Sequence, residues 1–139
     1  MNIEIEQNET PIIFLAMFCG GGGPYAIPEI IRVYDWINRA IPTREEMEVA
    51  LNRLLAMGLI EQQDNKFFIP EAQYRRYDEF QKRKRKNRFD AVKMYFKQLP
   101  EVDDVPQVIT FTKEQYDAHV EENSRAFAEA LRRLEKKER

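Results

Sequence analysis

A chain of 139 residues, 43% hydrophobic and 12% aromatic, can bury the core of one ordinary domain and is short for two. The formal net charge of −2 excludes a uniformly basic nucleic-acid binder, and the single cysteine, Cys19, excludes an internal disulfide and gives no reason to invoke an oxidising compartment. The apolar run from Pro11 to Cys19 falls well short of the roughly 20 residues that cross a bilayer, and the stretch Met1 to Glu6 carries no positive charge, so a soluble, cytoplasmic protein without a membrane partner is expected.

In chain order, Asn2 to Glu6 alternates polar and apolar residues and suggests a short half-buried strand. Thr10-Pro11 has the form of a helix start, cap then proline. The helix that follows, to Cys19, has no polar side chain except the thiol and therefore needs cover on more than one side. Gly20 to Gly23 makes a loop of high conformational freedom. Pro28 opens a second helix with Ile27, Ile30, Ile31, Tyr34 and Ile37 along one stripe; Trp36 falls on the opposite side and needs a cover from another segment or another chain.

Thr43 to Pro70 is the most specific stretch. Thr43 and Glu46 form a capping box, Met47, Leu51, Leu54 and Leu55 make the inward stripe, and Gly58 supplies a left-handed stop. Leu59-Ile60 then opens a strand, Gln63-Asp64-Asn65-Lys66 turns it, and Phe67-Phe68-Ile69 returns it. From Pro70 to Leu99 there is neither glycine nor further proline, but the apolar sets on either side of Lys82–Arg88 do not share a stripe. Either the helix breaks near Asn87 or its two ends dock on different bodies. Val108 to Phe111 is a strand candidate whose open partner is Ile3 to Glu6. Thr112 caps a last helix with a seam at Tyr116, Val120, Asn123, Phe127, Ala130 and Leu134, in alternating steps of four and three.

These elements predict a mainly α fold with a small β-hairpin. The PTREE helix start, the RLLAMGLIEQQDNKFFI passage and a long helix directly after it resemble the winged helix-turn-helix superfamily, especially the MarR-like and PadR-like bacterial regulators, over about residues 10–99. The resemblance implies a winged-helix domain at 1–70, a helical extension at 71–139 packed on the same core, a third helix offered to the DNA major groove, a wing near phosphates, and dimerisation through helices outside the winged core. On that reading a homodimeric transcriptional regulator contacts duplex DNA with Thr43, Arg44, Asn52, Arg53, Asn65 and Lys66, and with the basic run Lys82, Arg83, Lys84, Arg85, Lys86 and Arg88. The dimer forms through the Pro11–Cys19 helix, the long middle helix and the last helix, with Trp36, Tyr116, Val120, Phe127 and Leu134 at the interface.

The charge pattern opposes part of this. Lys+Arg against Asp+Glu is 5 to 10 over residues 1–70, 10 to 4 over 71–99 and 7 to 10 over 100–139, and Glu45 and Glu46 stand at the start of the helix that would meet phosphates. The rival reading keeps the scaffold and makes it a protein–protein or assembly module. No enzyme, cofactor or metal is expected. Cys19 has no base beside it in sequence, the only histidine, His119, lies on the last helix, and the glycine run lacks the Lys-Ser/Thr pair of a phosphate loop.

Overall fold

A computed structural model describes residues 3–84 and 86–137, with side chains from Glu9 to Lys136 apart from Arg85. The elements are α1 (Ile3–Cys19), α2 (Ile27–Asn38), α3 (Arg44–Ala56), β1 (Glu61–Gln63), β2 (Lys66–Phe68), α4 (Glu71–Arg83), α5 (Arg88–Lys97) and α6 (Lys113–Lys137). The fold is mainly helical with one two-stranded antiparallel sheet.

α1 is the post around which the others pack. Ile12 to Met17 are six consecutive buried residues, so this stretch of the helix is apolar all round and has neighbours all round. α2 and α3 lie on one part of its surface and α5 on another, while Phe14 meets Tyr77 of α4 and Phe96 of α5 edge-on at 5.5 Å each, and Phe18 stacks on Tyr74 at 4.5 Å. At about 1.5–3 kcal/mol for each large apolar side chain removed from water, this helix is a main contributor to the core. Two expectations are corrected here. The Pro11–Cys19 helix cannot form a dimer interface, because its own chain covers it. The residues expected as an N-terminal strand, from Ile3 on, belong to α1, and Pro11 lies inside that helix rather than at its start; Asn2 lies outside the described residues. A strand needs a ladder, and the segment proposed as its partner is held elsewhere, as described below.

α2 buries the residues that its spacing predicts, and α3 begins as its sequence dictates. Thr43 Oγ1 accepts from the Glu46 amide at 3.1 Å while Glu46 Oε1 accepts from the Thr43 amide at 2.8 Å. Met47, Leu51 and Leu54 are fully buried. Gly58, at φ +73°, turns the chain out of the helix into the hairpin, where Gln62 pairs with Phe67 and Gln63 with Lys66. Asp64 and Asn65 close it, both at positive φ, as a two-residue turn that matches strand twist requires.

One sheet contact was not anticipated. Tyr25 exchanges two backbone hydrogen bonds with Phe67, each 2.8 Å, and so adds a one-residue third strand to the hairpin. Its hydroxyl donates to the Met17 carbonyl at 3.2 Å, tying the sheet to the end of α1.

The stretch after Pro70 does break. α4 ends at Arg83, and Asn87 restarts the chain as a cap, accepting from the Asp90 amide at 2.9 Å. The two short helices fold against each other through Tyr77, Phe80 and Tyr95. One continuous cluster of buried side chains runs from Ile12 to Tyr116, drawing on both the 1–70 and 71–139 segments. No helix is long and apolar enough to cross a membrane among the described residues.

Candidate functional site

The outward face of α3 is where the resemblance puts recognition, and in this protein it is occupied. Residues 105–112, in neither helix nor strand, run across it as a strap. The Asn52 side chain holds the strap through both ends of its amide: Nδ2 donates to the Ile109 carbonyl at 2.9 Å, and Oδ1 accepts from the Ile109 amide at 2.7 Å. One side chain thus replaces a neighbouring strand, satisfying a backbone that would otherwise be orphaned. Nδ2 also lies 3.3 Å from Gln107 Oε1.

One turn toward the N-terminus, Glu48 Oε1 accepts from the Phe111 amide at 2.8 Å, and Arg44 Nη1 donates to the Phe111 carbonyl at 3.0 Å. At the end of the strap, Thr112 Oγ1 accepts from the Gln115 amide at 3.1 Å at the start of α6. Tyr116 then turns back and donates to the Pro42 carbonyl at 2.5 Å. Burial pushes the Tyr116 hydroxyl well above its ordinary range, so it stays a neutral donor.

This geometry redistributes the residues expected to contact DNA. Asn52 is 1% exposed with both ends of its amide committed, so it cannot read bases. Arg44 is exposed but committed to Phe111, Thr43 is committed to the cap, and Arg53 is half-buried. Asn65 and Lys66 remain exposed at the hairpin tip. Between hairpin and strap lies a cleft of about 430 Å³, with Gln62, Asn65, Thr110, His119 and Glu122 among its walls.

The basic run surrounds the α4–α5 break instead of lining one helix. Lys82 pairs with Asp78 at 2.9 Å, Arg83 reaches Glu79 at 4.0 Å, Lys84 lies 5.4 Å above the Phe80 ring and Arg88 5.5 Å from the Phe89 ring. The hydrogen bond from Lys82 holds the Asp78 carboxyl below its usual range and raises the ammonium in turn. These exposed pairs hold their partners weakly, so Lys82, Arg83, Lys84, Lys86 and Arg88 all remain accessible; Arg85 lies outside the described residues. Burial raises the Cys19 thiol while Arg88 beside it pulls the other way. Among the described residues no group of three histidine, cysteine or acidic side chains is placed to hold a metal ion.

The expected interface residues divide into two sets. Tyr116 is buried and Val120 half-buried within the chain, where the first half of α6 packs on α2 and Arg32 Nε donates to Asn123 Oδ1 at 3.3 Å. Tyr116 is therefore part of the monomer's core and not a contact for a second copy. Trp36, Phe127 and Leu134 stand out in solvent at 72%, 60% and 58% exposure. No signal in the strap's own sequence pointed to Asn52 as its anchor, since an outward asparagine looks the same whether it meets water, a base or its own chain. No protein-family model, curated protein or solved structure matches the chain.

Proposed function

We propose that the chain is a non-enzymatic protein-interaction module on a winged-helix scaffold, one that does not read duplex DNA through α3. The order α1, α2, α3 and hairpin, with Tyr25 as a third strand, supports the scaffold. What carries the functional reading is the strap: Asn52, Glu48 and Arg44 are turned onto Ile109 and Phe111, so the face that would enter a groove already has an occupant. An exposed Trp36 and the apolar end of α6 offer the kind of surface that protein partners bury.

The exposed cations around the α4–α5 break favour a second reading, in which the protein also meets a polyanion through charge alone. That contact would be steeply salt-dependent and indifferent to sequence. Fluorescence-polarisation titration of a random-sequence duplex at two salt concentrations separates the cases. The module reading requires either no binding or a salt-sensitive binding that survives the double change Arg53→Glu and Lys66→Glu. Loss of tight binding on that double change would restore α3 and the hairpin as a DNA-reading surface and overturn the proposal.

A further inference from the structure

Between α4 and the end of α5 lies an open cavity of about 320 Å³, with Arg76, Glu79, Phe80, Arg83, Tyr95 and Leu99 among its walls. The four from α4 follow one another at steps of three, one and three, so they share one face of that helix. Tyr95, from α5, is 2% exposed, and its hydroxyl is closed off from solvent and has no hydrogen-bond partner. The ring is held between Tyr77 and Phe80, each with its centroid 5.0 Å away, so the hydroxyl cannot turn out to water. A donor buried without an acceptor costs stability and is uncommon in folded proteins.

The charges around the same cavity say what would fill it. Of the arginines on α4, Arg75 pairs with Glu71 and Arg83 reaches Glu79 at 4.0 Å. Arg76 is exposed and has no carboxylate partner among the described residues. Burial pushes the Tyr95 phenol above its ordinary range and the charge of Arg76 pulls the other way, so the hydroxyl stays a neutral donor close to a free cation. The cavity therefore sets one buried O–H and two guanidinium forks against a single carboxylate, that of Glu79. Half-buried Phe80 and Leu99 give it an apolar wall.

We infer that this cavity binds a small monocarboxylic acid, whose carboxylate accepts from the Tyr95 hydroxyl and the Arg76 guanidinium while a short apolar chain lies on Phe80 and Leu99. The planar fork of an arginine matches a carboxylate, and an oxyanion is the acceptor that a stranded hydroxyl beside it lacks. Glu79 offsets one of the two arginines, so the remaining charge suits a monoanion. The volume stands at the small end of ligand pockets and well above the size of a bare ion, which calls for an organic body behind the charged head. The site differs from a contact made by charge alone, because a fixed buried donor orients the ligand. It does not rest on the interaction-module reading or on what the α3 face meets.

Titration of the full chain with hexanoate, followed by amide chemical shifts in NMR, should give saturable changes at Arg76, Tyr95 and Leu99 with a Kd on the order of 1 mM, ordinary for a ligand of this size. Hexanamide, equal in shape and without the charge, should give none. Arg76→Gln and Tyr95→Phe should each raise the Kd about tenfold, the loss of one hydrogen bond to a charged group. Tyr95→Phe also removes a donor that has no partner in the free protein, so it should melt no lower than wild type, whereas a hydroxyl serving the fold would be missed. The inference is overturned by an absence of saturable shifts, by equal binding of hexanamide, or by a Tyr95→Phe variant that melts lower or binds as well as wild type.

Discussion

Asn52 and Ile109, 57 residues apart in sequence, are joined through both ends of one amide, at 2.9 and 2.7 Å. The pair fixes the strap on α3 and buries Asn52 at the centre of that helix's outward face, while Arg44, Glu45 and Ala56 stay exposed. Replacing Asn52 by alanine leaves the Ile109 amide and carbonyl buried without partners, at a cost of about 2–3 kcal/mol. Asn52→Asp keeps the acceptor for the amide but sets a carboxylate against the Ile109 carbonyl, so it should lose a comparable amount. Urea denaturation followed by circular dichroism measures both, and limited proteolysis should cut near residues 100–112 in the variants before the wild type.

The close approach at Tyr25 and Phe67 makes a sharper demand on the glycine loop. A Cβ on Gly23 would stand 2.7 Å from the Phe67 carbonyl oxygen, at φ +97°, whereas one on Gly21, at φ +100°, would meet nothing within 4 Å. Both substitutions by alanine incur the left-handed penalty of about 1–2 kcal/mol, and Gly23→Ala must also displace backbone. Thermal unfolding should therefore rank Gly23→Ala clearly below Gly21→Ala, and equal losses would contradict the close approach.

α1 and α2 meet at a carboxylate, that of Glu9. Tyr34 donates a hydrogen bond to Glu9 and accepts one from Asn38 at 2.9 Å. Burial pushes the Glu9 carboxyl above its ordinary range; the Tyr34 hydroxyl opposes the rise and the neighbouring Glu46 adds to it. A carboxyl raised in the folded state favours folding while it is protonated, and that contribution disappears as pH climbs through the raised value. Glu9→Gln, neutral throughout and still an acceptor for Tyr34, should melt higher than wild type at about pH 7, with the difference closing toward about pH 4, near the ordinary carboxyl value. A difference that instead widens in acid would reverse the assignment.

Trp36 and Thr43 test surface against structure. With 72% of its surface in water, Trp36 can be changed to alanine within about 0.5 kcal/mol of wild-type stability, whereas Thr43→Ala loses half a capping box and should cost about 1 kcal/mol. Chemical denaturation of both variants gives the comparison. A large loss at Trp36 would mean that the residue packs on its own chain.

The Thr43 to Pro70 block was legible because every signal in it is local: a cap and its glutamate, a glycine at the one left-handed stop, and Asp64-Asn65 at a two-residue turn. Asn87 could be suspected as a break because apolar stripes on either side of it do not align. The alternation from Asn2 to Glu6 fits a helix as well as a strand, and only a ladder partner could decide between them. Tyr25 gave no pattern at all, being a single residue in a ladder. Periodicity puts Asn52 on the outer face of α3, yet what faces it comes from a segment more than fifty residues away; helical periodicity says where a side chain points and nothing about what arrives there. The α6 seam was similarly one pattern in sequence that serves two roles in space, its first half spent on α2 and its second half free.

The claim on which the functional reading turns is that the strap stays closed over α3 in solution. Native-state amide exchange by NMR addresses it at the Ile109 and Phe111 amides, which are hydrogen-bonded to Asn52 and Glu48 rather than to any helix or sheet. Protection at both amides comparable to that of the buried helical residues of α3 is the predicted result. Exchange as fast as in an unstructured loop would contradict it, because the outward face of α3 would then be open to a groove.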